Sequence, residues 1–433
     1  MSSGEDELTD GVLDDPVRLL GADRPAVRAH IDATEDVESV GREVFQQAEA
    51  IFGGAEVPRA EFASWLQFAA KVLGHDAYAE RVAAAEPGMP WRTVWAWWRP
   101  VGKYVAHPNL TSQDTLTLGR QMHKGRELLH VQAAWEDTWL DLETGVQVPA
   151  PPEEARVSLP LQYGAQDVPR LDECELSAPE SWDSAGPLVG ADGRTRYLVD
   201  DIWGLALLET DAAVLRDWPR GWIDAESSEE GTPGRMPFFA APDGPLTARR
   251  VDDAFAPVKV VRIPGHELPA TLEHTASRAH LRDVGLPSWW ACGMTTFEPC
   301  PAQEMTPLAD DALVRVELPG GVEASDLLPL GSGNRCGVRD TVYLHRRAGS
   351  VHVRENLELV QLSPDLDHFT RVLEGVRRYM SACWYPYPDE DASGNFFREM
   401  DALAPGTVDS DGPSGQVWLQ FVVGITGLNE DGF

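Results

Sequence analysis

The stretch HELPATLEHTASRAHLRDVGLPSWW, His266 to Trp290, carries three histidines, two glutamates and a tryptophan pair. Whether it is a metal helix, an active site or the entry to a domain decides the reading of everything around it. His274 and His280 are separated by about 600° of helix rotation, so they point in different directions. The zincin arrangement, two histidines four apart with a glutamate between them, is absent. What remains is a helix capped by Thr275 or Ser277, ended by Gly285, with Pro287 forbidding continuation. The stretch reads as a doorway, with the short β-like run VKVVRI (Val258–Ile263) leading into it.

Downstream, DTVYLHRRAGSVHV (Asp340–Val353) alternates apolar Val342, Leu344, Val351 and Val353 about Ala348-Gly349, as a hairpin with one buried face does. Ser363-Pro364-Asp365 starts a helix whose inner side holds Leu366, Phe369, Val372, Leu373 and Val376. Arg377 and Arg378 fall at the expected C-terminal end, where the helix dipole favours positive charge. WYPYPDEDASGNFF breaks this helix, FFREMDAL begins another, and VWLQFVVGITGL is compatible with a helix or a strand.

These pieces, in this order, resemble SUKH-type immunity proteins, specifically the fourth subgroup. The resemblance is carried by Leu268-Pro269, Leu272, Leu281, Val284 and Gly285-Leu286-Pro287, then by DLLPLGSG (Asp326–Gly333) as the turn before a central hairpin. It continues through the hairpin and through LELVQLSPDLDHFTRVLEGVRRY as strand, turn and helix, and spans roughly residues 260–433. It implies a protein that neutralises a polymorphic toxin, often a nuclease or deaminase, by binding it, with no cofactor.

Upstream, the pattern is helical from about Asp15 to Ala85, with Phe62, Trp65, Leu66, Phe68, Ala69, Val72 and Leu73 on a broad apolar face and Gly74 as a stop. Trp91, Trp95, Trp97 and Trp98 follow on a strand-like segment expected to be the packed seam between two domains. Two segments then resemble one another: GRELLHVQAAWEDTWLDLETG from Gly125 and GRTRYLVDDIWGLALLETD from Gly193. The first looks like a degenerate WD-repeat blade. Four blades at most would fit, so a small β-rich domain is expected rather than a closed propeller. VPAPPEEA from Val148 is read as a joint between sub-parts, and Asp224–Arg250 as a linker. The expected fold class is α+β: a helical region at 1–88, a β-rich repeat-like region at 89–255, and a SUKH-like α+β domain with a mainly antiparallel sheet at 256–433.

The 433 residues carry 36 basic and 70 acidic side chains, a formal charge of −34. Such a surface repels phosphate backbones and accelerates encounter with a basic partner, although acidity also serves solubility alone. There is no apolar run of membrane-spanning length, and the acidic N-terminus is unlike a secretory signal, so a cytoplasmic protein is expected. Cys174, Cys292, Cys300, Cys336 and Cys383 form no close pairs and read as free thiols.

Nucleophile elbow, P-loop and kinase motifs are missing, and GSGNRCG (Gly331–Gly337) fits a turn leading a hairpin better than a phosphate cradle. Cys336 near His345 would be a thiolate pair only if the fold supplied an orienting acid. The expectation is therefore a non-enzymatic binding protein whose partner is a basic toxin domain, with no metal, no nucleic acid and no membrane. Candidate contacts are Trp289, Trp290, Asp310, Asp311, Asp389, Glu390 and Asp391, each with an alternative as core aromatic or solvated acid. A scaffold protein is the main alternative function, and a hydrolase using Cys336 and His345 a weaker one.

Overall fold

Strand β1, Trp91–Trp98, organises the N-terminal half. A bulge between Thr93 and Trp95 inserts one residue into its pairing, which reverses which face the later side chains take. Trp91 and Trp98 consequently enter one core, and Trp95 and Trp97 the core on the opposite side. The tryptophan seam exists because of that single extra residue. The computed structural model describes residues 10–34, 39–52, 56–101, 117–132, 137–160, 185, 187–189, 195–201, 203–210, 239–255, 257–292, 295–335, 338–382, 391–403, 405 and 412–420.

Among the described residues, six helices lie on the first side: α1 Asp10–Leu13, α2 Pro16–Leu19, α3 Arg24–Ala33, α4 Val40–Phe52, α5 Arg59–Val72 and α6 Asp76–Ala85. Asp15 and Asp23 cap α2 and α3 with their carboxylates, and each helix opens with proline in its first turn, where no N–H is required. Gly74 (φ 76°) ends α5 in the left-handed region. The α5 helix buries almost every residue, including Ser64 and Gln67. Their burial is explained by β1, which is the edge of its sheet: Ser64 Oγ donates to Trp91 O at 2.7 Å, and Gln67 both accepts from Thr93 N (2.6 Å) and donates to Thr93 O (3.2 Å). Two side chains thus complete the open edge of a strand.

β1 belongs to a four-stranded sheet ordered β1-β9-β8-β7, and a five-stranded sheet is ordered β5-β4-β3-β2-β6. The strands are β2 Thr117–His123, β3 Arg126–Gln132, β4 Asp137–Asp141, β5 Gln147–Val148, β6 Val157–Leu159, β7 Pro187–Val189, β8 Thr195–Asp201 and β9 Gly204–Thr210. Trp95, Trp97, Leu198, Leu205 and Leu207 of the first sheet share a core with Leu129, Val131 and Leu140 of the second. The described strands therefore stack as two sheets face to face, with helices on the outer face of the first. The two look-alike segments each form a hairpin, β3–β4 and β8–β9, but their closing Leu-Glu-Thr differs. Leu208–Thr210 lies in β9, whereas Leu142–Thr144 forms a turn in which Gly145 (φ 66°) sits against the Trp95 ring. The Pro-rich VPAPPEEA is not a joint between sub-parts. It carries the chain from β5 on one edge of a sheet to β6 on the other.

The C-terminal region is built on a six-stranded antiparallel sheet in sequential order: β12 Trp289–Cys292, β13 Thr295–Pro299, β14 Leu327–Arg335, β15 Val338–His345, β16 Val351–Glu355 and β17 Glu358–Ser363. A two-stranded ladder, β10 Val260–Val261 with β11 Leu286–Pro287, closes the doorway segment. Helices α7 Ala248–Phe255, α8 Thr275–Ala279, α9 Leu366–Ala382, α10 Ala392–Leu403 and α11 (413–420) complete the fold. Leu246, Val251, Phe255, Leu344, Val351, Phe369, Phe396 and Trp418 meet in one core, so the chain joins this unit before α7.

Several local expectations change. The α8 cap is His274, whose Nδ1 lies 2.8 Å from Ser277 Oγ and accepts from Ser277 N, in place of Thr275 or Ser277. The helix continues as a π-helical turn over His280–Val284 before Gly285 (φ 91°) ends it. DLLPLGSG is strand rather than turn: Leu328 and Leu330 face the helix-covered core, and Pro329 sits at a bulge where its missing N–H costs no ladder bond. In GSGNRCG, Gly331–Arg335 pair on both sides, and a Cβ at Gly331 would meet the Phe297 ring and Glu298 O within 3 Å. Arg377 and Arg378 are not at a helix end, because α9 continues to Ala382; Arg378 is a buried ion-pair partner of Glu399. The stretch VWLQ is helical, and the rest of that run lies outside the described residues.

Candidate partner-binding surfaces

The sequence-derived contact residues fall in three places. Trp289 and Trp290 lie in β12, the edge strand, paired with Phe297 and Thr296. Asp310 and Asp311 are exposed in a turn of the segment between β13 and β14. Asp391 is exposed at the start of α10, its carbonyl accepting from Asn395 N at 2.9 Å, while Asp389 and Glu390 lie outside the described residues. The sheet separates two of these groups: Asp391 heads a helix packed on one face, and the Asp310 segment crosses the other.

The two faces are covered very differently. One carries α7, α9 and α10 over a large core. Among the described residues the other carries the strap 305–322, whose Leu313 is buried against Leu327 of β14 and Leu359 of β17, with Leu308, Val316, Leu318 and Val322 half-buried around them. Turn hydrogen bonds hold the strap, including Ala312 N to Ala309 O (2.9 Å) and Val322 N to Pro319 O (3.1 Å). Glu317 N donates to Leu357 O at 2.6 Å and Leu359 N to Glu317 O at 2.8 Å, which docks the strap on β17.

A buried polar cluster lies at the β15–β16 turn. The Asp326 carboxylate accepts from Arg347 and stands 4.0 Å from His345 Nε2. His345 Nδ1 accepts from the backbone N–H groups of Arg347 (3.3 Å) and Ala348 (3.1 Å), so this ring organises the β15–β16 turn. His345 is thus placed as a turn-former, and Cys336 lies outside the described residues. The same turn needs Gly349 (φ 81°), whose Cα lies under the His274 ring. Ser350 Oγ is 2.8 Å from His352 Nε2, a nucleophile–base spacing, but His352 is only 2% exposed and burial with the neighbouring His345 pushes its pKa down to about 4.

A cleft of about 460 Å³ lies between the second sheet and the C-terminal unit, lined by Asp137, Trp139, Val148, Lys259, Ser288 and Glu298 among others. Burial, together with the Arg377 charge, pushes Lys259 down to about 7. Trp139 is clamped in this wall, with His130 stacked at 4.3 Å and Arg156 over its ring at 4.9 Å. Cys300 donates its thiol to Pro329 O at 3.0 Å, and burial raises its pKa to about 11, which makes it an inert thiol.

Sequence reasoning missed Val314, Leu357, Lys259 and the Ser350–His352 pair. Leu357 alone had a legible signal: it follows Asn356, a left-handed turn residue (φ 55°), and therefore sits at a hairpin tip. Among the described residues, no group of three or more His, Cys, Asp or Glu side chains is placed to hold a metal ion, and no helix is long and apolar enough to cross a membrane. No curated protein and no solved structure matches the chain. The C-terminal part, residues 246–414, matches the model of the SUKH-4 immunity protein family, starting where Leu246 enters the C-terminal core.

Proposed function

We propose that this chain is a non-enzymatic immunity protein that binds and neutralises a cognate bacterial toxin domain, in the cytoplasm, through an acidic surface. The family match over residues 246–414 carries the reading. The charge of −34 supports its finer part: a nuclease or deaminase toxin keeps a basic surface for its substrate, and an acidic inhibitor occupies that surface quickly. The division at residues 88 and 255 into helical, β-rich and immunity units belongs to this proposal, as do Trp289, Trp290, Asp310, Asp311, Asp389, Glu390 and Asp391 as contact candidates.

The test is a native pull-down with the full chain as bait and mass spectrometry of the eluate. The expected result is one toxin domain in near-equimolar amount, released by salt, which arrests growth when expressed alone and is silenced by co-expression of this chain. Retention of housekeeping or signalling proteins instead would replace immunity with a scaffold function.

A further inference from the structure

We infer that the strap face of the six-stranded sheet is where the toxin docks, and that the toxin presents there an apolar anchor ringed by basic side chains. This rests on the immunity reading above and names the surface and partner chemistry that the reading leaves open.

Val314 on the strap is 79% exposed and Leu357 at the β16–β17 tip is 67% exposed, the two most exposed large hydrophobic residues described. The paired hydrogen bonds between Glu317, three residues beyond Val314, and the Leu357–Leu359 backbone tie the strap to the β16–β17 tip. Val314 follows Leu313, and Leu357 lies two residues before Leu359; both of those residues belong to the small core on which half-buried Leu308, Val316, Leu318 and Val322 pack. A contiguous exposed apolar patch marks an interaction site, whereas isolated surface leucines do not. Acids predominate around it: Asp310, Asp311, Glu317 and Glu358 are exposed, against Arg315 on the strap and Arg354 beside Leu359, the latter arginine 3.5 Å from Asp340.

An apolar centre inside a charged rim is the arrangement in which water exclusion strengthens the surrounding charge pairs. The occupant that fits is basic around an apolar or aromatic anchor. A second copy does not fit, because each chain brings −34 and the same acidic rim. The turn hydrogen bonds already hold the strap, so little ordering is lost on binding.

The experiment uses the full chain and, as probe, the toxin domain that co-purifies with it, with affinity measured by surface plasmon resonance. The double variant Val314→Asp/Leu357→Asp removes the apolar centre while making the surface more acidic. Attraction by acidity alone would strengthen binding, and docking on the patch predicts a loss of about a hundredfold. Asp310→Asn/Asp311→Asn is expected to slow association about tenfold at low salt and to lose that effect at high salt. Glu153→Gln/Glu154→Gln, on an exposed turn of the second sheet, is the control expected to bind like wild type. All changed side chains are exposed, and matching circular dichroism and urea midpoints verify folding. Toxin binding within twofold of wild type by the Val314/Leu357 variant overturns the docking surface while leaving immunity standing. Failure of the wild-type chain to capture any toxin domain overturns both. A wild-type dimer made monomeric by the double variant would assign the patch to self-association instead.

Discussion

Two buried imidazoles make the C-terminal unit acid-sensitive in a calculable way. His280 Nε2 lies 3.1 Å from Thr370 Oγ1, and the Thr370 hydroxyl donates to Leu366 O at 2.8 Å. The hydroxyl proton is therefore committed, so His280 Nε2–H is the donor to Thr370. Burial pushes His280 down to about 4, against the favourable charges of Asp367 and Asp365, and His352 is pushed to about the same value by burial and His345. Unfolded, each ring titrates near the ordinary 6.5. Between those values the unfolded chain binds protons that the native chain refuses, so stability is intact above about pH 6.5 and falls as pH drops toward 4. The loss is about 2 kcal/mol per ring at pH 5, and about 3 at pH 4. The two rings lie on opposite faces of the sheet and add independently.

The assay is hydrogen–deuterium exchange of peptides covering α9 and β16 between pH 7.5 and 5, which reads the local opening free energy of this unit. Carboxylates titrate alike in all variants, so the comparison isolates the imidazoles. His280→Gln and His352→Gln are each expected to flatten the pH dependence of opening by about 2 kcal/mol over that range, whatever they do to stability at pH 7.5. Curves parallel to wild type would refute the reasoning.

Other outcomes are as specific. Arg378→Ala leaves Glu399 without the partner that also ties Phe239 O to α9, and should cost about 3–5 kcal/mol in urea unfolding. Gly349→Ala combines a left-handed backbone with a Cβ placed inside the His274 ring, so it should lower the C-terminal unfolding midpoint more than Gly244→Ala, which is also left-handed but meets nothing within 4 Å. Gln67→Ala strips both backbone bonds from Thr93 at the β1 edge and should cost about 1–3 kcal/mol, visible in tryptophan fluorescence unfolding. Lys259 should react with an amine-directed ester with a rate midpoint near pH 7, and a reaction rate still rising steeply above about pH 9 would contradict the lowered value.

Much of the C-terminal fold was readable because its signals are local and periodic. Alternation at Val342, Leu344, Val351 and Val353 specifies a hairpin face, and the 3.6-residue spacing of Leu366–Val376 specifies the helix upon it. The readings that failed depended on partners distant in sequence. DLLPLGSG resembles a turn by composition, yet flanking strands on both sides make it a ladder. Arg378 looks like a dipole-favoured end residue until Glu399 arrives from the next helix. The candidate contacts were chosen by residue type, and type does not show that Asp310 and Asp391 stand on opposite sides of a sheet.

The sequence alone therefore determined the class of the strongly periodic elements, the strong negative charge and the resemblance of the C-terminal part, since these follow from composition, period and order along the chain. Tertiary structure decided which face is armoured by helices and which is left under a thin strap. It also decided that one bulge divides four tryptophans between two cores, and that the strap carrying Val314 is tied to the hairpin tip carrying Leu357. The physical reason is that exposure belongs to no residue by itself; it is set by what the rest of the chain fails to cover.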